Sequence, residues 1–111
     1  MPMEPHELLQ HLLDEVQFLK SLCSTGKIAL LADEIGKRAL VRSAQVIATA
    51  VKHLPAEWKA KHPHIDWDNL ATLPDRIIHG DLGVDYELAW DLATERLPEL
   101  ADELSMLVER E

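Results

Sequence analysis

Aliphatic residues return every three or four positions at both ends of this chain, and that spacing commits it to helix. Near the start, Leu9, Leu12, Leu13, Val16, Leu19 and Leu22 form one stripe, with Glu7, Asp14, Glu15 and Lys20 mostly off it. Near the end, Leu88, Leu92, Leu97, Leu100, Leu104 and Leu107 form a second. A period near 3.6 puts such residues on one helical face, which must be buried against another element. Composition agrees: 47% of residues are hydrophobic but only 5% aromatic, with Leu, Ala, Glu and Asp abundant, a helix-forming mixture. A chain of 111 residues fits one domain, 1–111, with one core, in the size range where a second copy often supplies further burial. The expected fold is all-α, an antiparallel four-to-five-helix bundle.

Local signals divide that bundle. The first helix runs from Pro5 to Cys23 and breaks at Ser24-Thr25-Gly26. A second helical region continues to about His53, with Leu40, Ala44, Ile47, Val51 and Leu54 as its buried seam and Gly36 as a soft point. Its opposite stripe, Arg38, Arg42, Gln45 and Thr49, is polar and faces either water or a shared cleft. Pro55 to Asp66 reads as a connector with one turn around Glu57 to Lys61, because Leu54 and His62 each precede a proline. Asp66 can cap a short helix through Leu70. Thr72-Leu73-Pro74-Asp75 reads as a fresh helix start, with threonine at the cap and proline in the first turn, ending near Gly80. Asp85 caps the last helical region, which Pro98 should kink or divide.

No apolar run approaches the roughly 18 to 20 residues that span a bilayer, and the N-terminus lacks a signal-peptide pattern, so a cytoplasmic protein with no membrane partner is expected. The single Cys23 falls in register with Leu12, Val16 and Leu19 and reads as a packed thiol. A formal charge of −9 argues against broad affinity for nucleic acid. The charge is uneven, however. Residues 52 to 64 hold Lys52, Lys59 and Lys61 with His53, His62 and His64 against only Glu57, a strip that either steers RNA or is an ordinary solvated turn.

The segment Pro74-Asp75-Arg76-Ile77-Ile78-His79-Gly80-Asp81-Leu82-Gly83-Val84-Asp85-Tyr86 carries the chemistry. Arg76 and His79 stand three residues apart, hence on one face of a helix, just before its exit at Gly80. Arginine keeps its charge at ordinary pH while histidine titrates near neutrality, so such a pair can hold a phosphate and move a proton. Asp75, four residues before His79, can orient the imidazole; Arg76 can equally be a surface arginine paired with a carboxylate.

The order and spacing of Arg42-Ser-Ala-Gln-Val-Ile-Ala-Thr-Ala-Val-Lys-His-Leu-Pro55, His62-Pro-His-Ile-Asp-Trp67, Ile78-His79-Gly80, Gly83-Val84-Asp85 and Leu97-Pro98 resemble the HepT-like family of HEPN-domain proteins over most of the chain. The resemblance implies a helical homodimer that is the toxin of a toxin-antitoxin pair, beside an MNT-type minimal nucleotidyltransferase antitoxin, and that cuts RNA without metal or other cofactor. It also implies a motif of arginine, four to six residues, then histidine, followed after one residue by a tyrosine that the antitoxin modifies with AMP. His79 takes the histidine position. The arginine position falls on Thr72, Leu73 or Pro74, with Pro74 the best alignment, and the tyrosine position is Asp81. A polar residue that the family carries on the second helix falls at Gln45 or Thr49. With the motif altered in this way, the expected catalytic residues are His79 and Arg76, supported by Asp75, Arg42, Arg38 and Asp81. The alternative is a binding subunit that keeps the dimer and the antitoxin surface without cleaving.

Two other groups attract attention. His62, His64, Asp66 and Asp68 alternate along the connector, but the spacing matches no specific metal signature, and no metal site is assigned. Trp58, Trp67 and Trp90 read as packing residues, with Trp67 near enough to the motif to stack on a base.

Overall fold

The computed structural model describes residues 4–110, the side chain of Asp81 excepted. Helix α1 spans Pro5–Leu22, α2 Lys27–Leu31, α3 Glu34–His53, α4 Ala56–Ala60, α5 Trp67–Ala71, α6 Leu73–Ile77, α7 Tyr86–Asp91 and α8 Leu97–Arg110. Among the described residues there is no strand, only one antiparallel bridge between Ile78 and Val84. The all-α expectation therefore holds. Its main rods are α1, α3 and the α7–α8 run, against which the short helices pack.

Both leucine stripes are buried. Leu9, Leu12, Val16 and Leu19 of α1 meet Leu40, Ile47 and Val51 of α3 and Leu97, Leu100, Leu104 and Leu107 of α8 in one core. Glu15 accepts a 2.6 Å hydrogen bond from the buried Ser43 hydroxyl, while Leu19 shares a small gap with Leu40, so α1 and α3 run antiparallel. Leu97, at the start of α8, lines the same gap as Leu19, near the end of α1.

One local expectation needs correction. The second helical region is not continuous: α2 ends at Leu31, and the Asp33 carboxylate accepts the Ile35 N–H at 3.0 Å to start α3 afresh. Gly36 is buried, and a Cβ there would stand 2.6 Å from Leu30 Cδ1. The last helical region is divided just ahead of Pro98, as expected: Leu92–Arg96 forms a wide π-turn between α7 and α8, and the Thr94 hydroxyl donates to the Trp90 carbonyl at 2.9 Å.

The connector behaves as its residues dictate. Its single turn is α4, and Asp66 caps α5 by accepting the Asn69 N–H at 3.1 Å. Trp67 is buried and donates its indole N–H to the His62 carbonyl at 3.0 Å, while Trp58 and Trp90 pack against the core. Cys23 is half-buried, and that burial raises its thiol pKa above the ordinary value. Among the described residues no helix is long and apolar enough to cross a membrane.

Candidate active site

Helix α6 is a five-residue piece held down by Leu73 and Ile77, both buried. With Leu40 and Ala44 of α3 and Ala89, Leu92, Ala93 and Leu97 of the last rod, they enclose the gap near Leu19. Pro74 sits in the first turn, where its missing N–H costs little, and Asp75 places a carboxylate at the positive end of the short helix. Thr72 is not the side-chain cap it was expected to be. Its hydroxyl turns back to the Asp68 and Asn69 carbonyls, at 3.0 and 3.3 Å, and closes α5 instead.

The helix stops at Ile77, three residues short of the expected end, which changes the relation between the two principal residues. Ile78 is extended and pairs with Val84; the His79 N–H donates to the Gly83 carbonyl at 2.8 Å and the Asp85 N–H to the Ile77 carbonyl at 2.7 Å. Between these rungs, Leu82 N–H donates to the His79 carbonyl and Gly83 N–H to the Gly80 carbonyl. Gly80 and Gly83 adopt φ values of +59° and +99°, conformations that side chains with a Cβ adopt at a cost. Arg76 and His79 therefore do not share a helical face. Arg76 ends a helix, and His79 projects, exposed, from the base of a hydrogen-bonded loop.

The foot of that loop is fixed from below. Asp85 caps α7 by accepting the Leu88 N–H at 3.0 Å. Glu87 pairs with Lys27, and Lys37 Nζ lies 5.0 Å from the centre of the Tyr86 ring. The hydrogen bond that Lys37 donates to the Glu34 carboxylate raises the Lys37 pKa, and the same contact lowers that of Glu34. Lys27 is raised in the same way by Glu87. Lys37 was not singled out from the sequence: its pairing with Glu34 is an ordinary contact within α3, and the Tyr86 ring that it lies over belongs to another helix.

Arg76 has an unusual setting. Its Nε and Nη2 are both buried, and neither has a hydrogen-bond partner in the structure. Buried guanidinium donors are normally satisfied, so Arg76 is an exception.

The supporting residues are dispersed. Asp75 is exposed, and among the described residues no hydrogen bond or ion pair joins it to His79. Arg38 and Arg42 are exposed on α3. Arg42 lines a groove of about 480 Å³ between α1 and α3 with His11, Asp14, Glu15, Phe18 and Val46, to which α6 contributes no residue. Gln45 is half-buried and Thr49 exposed, its carbonyl accepting from His53 Nδ1 at 2.8 Å. The side chain of Asp81 lies outside the described residues. His62, His64, Asp66 and Asp68 do not converge: among the described residues no cluster of His, Cys, Asp and Glu is arranged to hold a metal.

Comparison with known proteins supplies the context. Residues 12–107 match the family described as ribonuclease HepT-like. A protein of Caldanaerobacter subterraneus subsp. tengcongensis named a "putative RNase" is 32% identical over 108 residues, 96% of each chain. A "probable ribonuclease HepT" of Thermococcus cleftensis is 30% identical over 104 residues, 94% of this chain and 86% of that one. A "putative RNase" of Methanocaldococcus jannaschii is 29% identical over 103 residues, 93% of this chain and 83% of the other. No solved structure matches the chain.

Proposed function

The chain belongs to the HepT-like ribonuclease family of HEPN proteins, and from that membership we propose that residues 1–111 form one domain that cleaves RNA as the toxin of a toxin-antitoxin pair. In this reading two copies associate so that both His79 loops line one cleft, and an MNT-type nucleotidyltransferase restrains them. The observation that supports the reading is an exposed histidine on a pinned loop, three residues along the chain from an arginine whose Nε and Nη2 are buried without an acceptor.

The chemistry follows from those two groups. RNA can break itself when the ribose 2′-oxygen attacks the adjacent phosphorus: the O2′–P bond forms, the P–O5′ bond breaks, one proton leaves the 2′-hydroxyl and one reaches the 5′-oxygen. A histidine does either proton transfer, and two copies in one cleft provide one for each. The Arg76 guanidinium supplies the fixed positive charge that the phosphate needs as its own charge rises. The resemblance implies cleavage without metal, and no step here calls for one.

A second reading has its own observation. The resemblance puts Thr72, Leu73 or, in the best alignment, Pro74 at the family's arginine position and Asp81 at its tyrosine position, which suits a binding subunit that retains the dimer and the antitoxin surface but does not cut. Purified protein incubated with total RNA separates the two. Cleavage that falls by about 10²- to 10⁴-fold in His79→Ala, with the circular dichroism spectrum unchanged, supports the ribonuclease. No cleavage by the wild-type chain on any RNA supports the binding subunit. Cleavage undiminished in His79→Ala places the chemistry elsewhere.

A further inference from the structure

The connector between α3 and α5 carries a feature the cleavage chemistry does not use. The rings of Trp67, Trp58, His62 and His64 form a ladder that climbs from the core to the surface. Trp67 is buried; its ring centre lies 5.7 Å from that of Trp58; Trp58 lies 4.5 Å from His62, and His62 6.2 Å from His64, whose side chain is about half exposed. Beside the ladder a groove of about 640 Å³ runs along Lys59, Pro63, His64 and Ile65.

The strip is also the positive part of a negative molecule. Lys52, Lys59 and Lys61 are opposed in residues 52 to 64 only by Glu57, in a chain whose formal charge is −9. Lys59 has a structural duty, donating to the Val51 carbonyl at 3.2 Å and closing α3. Lys52 and Lys61 are exposed, and Lys61 forms no ion pair among the described residues. Two carboxylates also border the groove. Asp66 is occupied in capping α5, and the opposing charges at that end are Asp68 and Glu103, whose carboxylate lies 4.0 Å from His64 Nε2.

Exposed cations beside a run of aromatic rings fit single-stranded nucleic acid: lysines follow the phosphates, and rings accept unpaired bases irrespective of sequence. Resting on the ribonuclease reading, we propose that the Lys52, Lys61 and His64 strip is an auxiliary site that holds a single-stranded flank of the RNA whose scissile bond lies at His79. Helices α5 and α6 are the segment of chain between the strip and the His79 loop. An A-form duplex, whose bases are stacked and paired, gains nothing from the rings.

Fluorescence anisotropy tests this with a fluorescein-labelled oligouridylate and a labelled RNA duplex, on the full chain carrying His79→Ala so that the probe survives. Adding Lys52→Gln and Lys61→Gln, both at exposed positions, should reduce the slope of log affinity against log salt by about 1.4, since each single-strand phosphate contact contributes about 0.7. Adding His64→Ala should weaken the single strand about fivefold or more and leave the duplex unchanged. Unchanged affinity and slope in these variants, with the oligouridylate still bound, overturns the proposal, leaves the ribonuclease reading standing and assigns the strip to an acidic protein partner. Binding that depends on the strip, in a chain whose native His79 form cuts nothing, keeps the site and removes the ribonuclease. A chain that neither binds nor cuts removes both.

Discussion

Replacing Arg76 with methionine should make this protein more stable and less active at once. Leaving a buried donor unpaired costs about 1–3 kcal/mol, and Arg76 has two such nitrogens. The side chain as a whole is only half-buried, so the lower end of that range applies, about 2 kcal/mol for the pair. Methionine keeps an unbranched stem and a comparable helix propensity. It forfeits a cation at the C-terminal end of α6, worth about 0.3–1 kcal/mol. The net gain is about 1–1.5 kcal/mol. With an unfolding entropy of about 2.1 cal/mol/K per residue, a chain of this length gains about 4 °C for each kcal/mol, so the Tm should rise by about 4–6 °C. Calorimetry and circular dichroism in phosphate-free buffer read the stability, and cleavage of RNA should fall by about 10²- to 10³-fold in parallel. A Tm several degrees lower, with cleavage intact, would refute the reasoning, because the guanidinium would then be holding the fold together rather than waiting for a substrate.

Light scattering at micromolar concentration should return about twice the 12.6 kDa mass of one chain; a monomer mass would remove the cleft shared between two His79 loops. Cys23, whose thiol pKa is raised by burial, carries less thiolate than a free thiol at any pH below that value. It should react with iodoacetamide more slowly in the folded protein than in urea, and equal rates would contradict the burial.

What could be read from the sequence was what is decided locally. The stripes from Leu9 to Leu19 and from Leu92 to Leu107 needed only a period, and Asp66 and Asp85 needed only their own next three residues to cap α5 and α7. Where two local partners competed, local reasoning chose wrongly: Thr72 had both the start of α6 and the end of α5 within reach, and the Asp68 and Asn69 carbonyls won. The end of α6 was settled by residues further on. Gly80 looked like the exit, but the bridge from Ile78 to Val84 and the left-handed Gly83 pull the chain out of the helix after Ile77. The shared face assumed for Arg76 and His79 failed for that reason. Lys37 beneath Tyr86 and Ser43 against Glu15 join separate helices, and no spacing within one helix announces them. The two orphaned nitrogens of Arg76 are a property of packing alone.

The position of Arg76 also bears on the proposed alignment of Pro74 with the family's arginine. Leu73 and Ile77 define the buried side of α6. At about 100° per residue, positions 74 and 76 lie on opposite flanks of that buried side, and both side chains are indeed half-buried while Asp75 between them is exposed. An arginine at 76 therefore leaves α6 on the flank opposite to one at 74, and the two are not interchangeable. If the phosphate sits on the flank of Arg76, Pro74→Arg introduced into the Arg76→Met protein should leave cleavage at the low level of the single variant. The change is structurally mild, since the Pro74 carbonyl keeps its 2.8 Å bond from the Ile78 N–H and the helix gains a donor it does not need. Recovery of cleavage in that double variant would put the phosphate on the flank of Pro74 instead. The native chain would then lack its charge-stabilising group, and the binding-subunit reading would take the place of the ribonuclease.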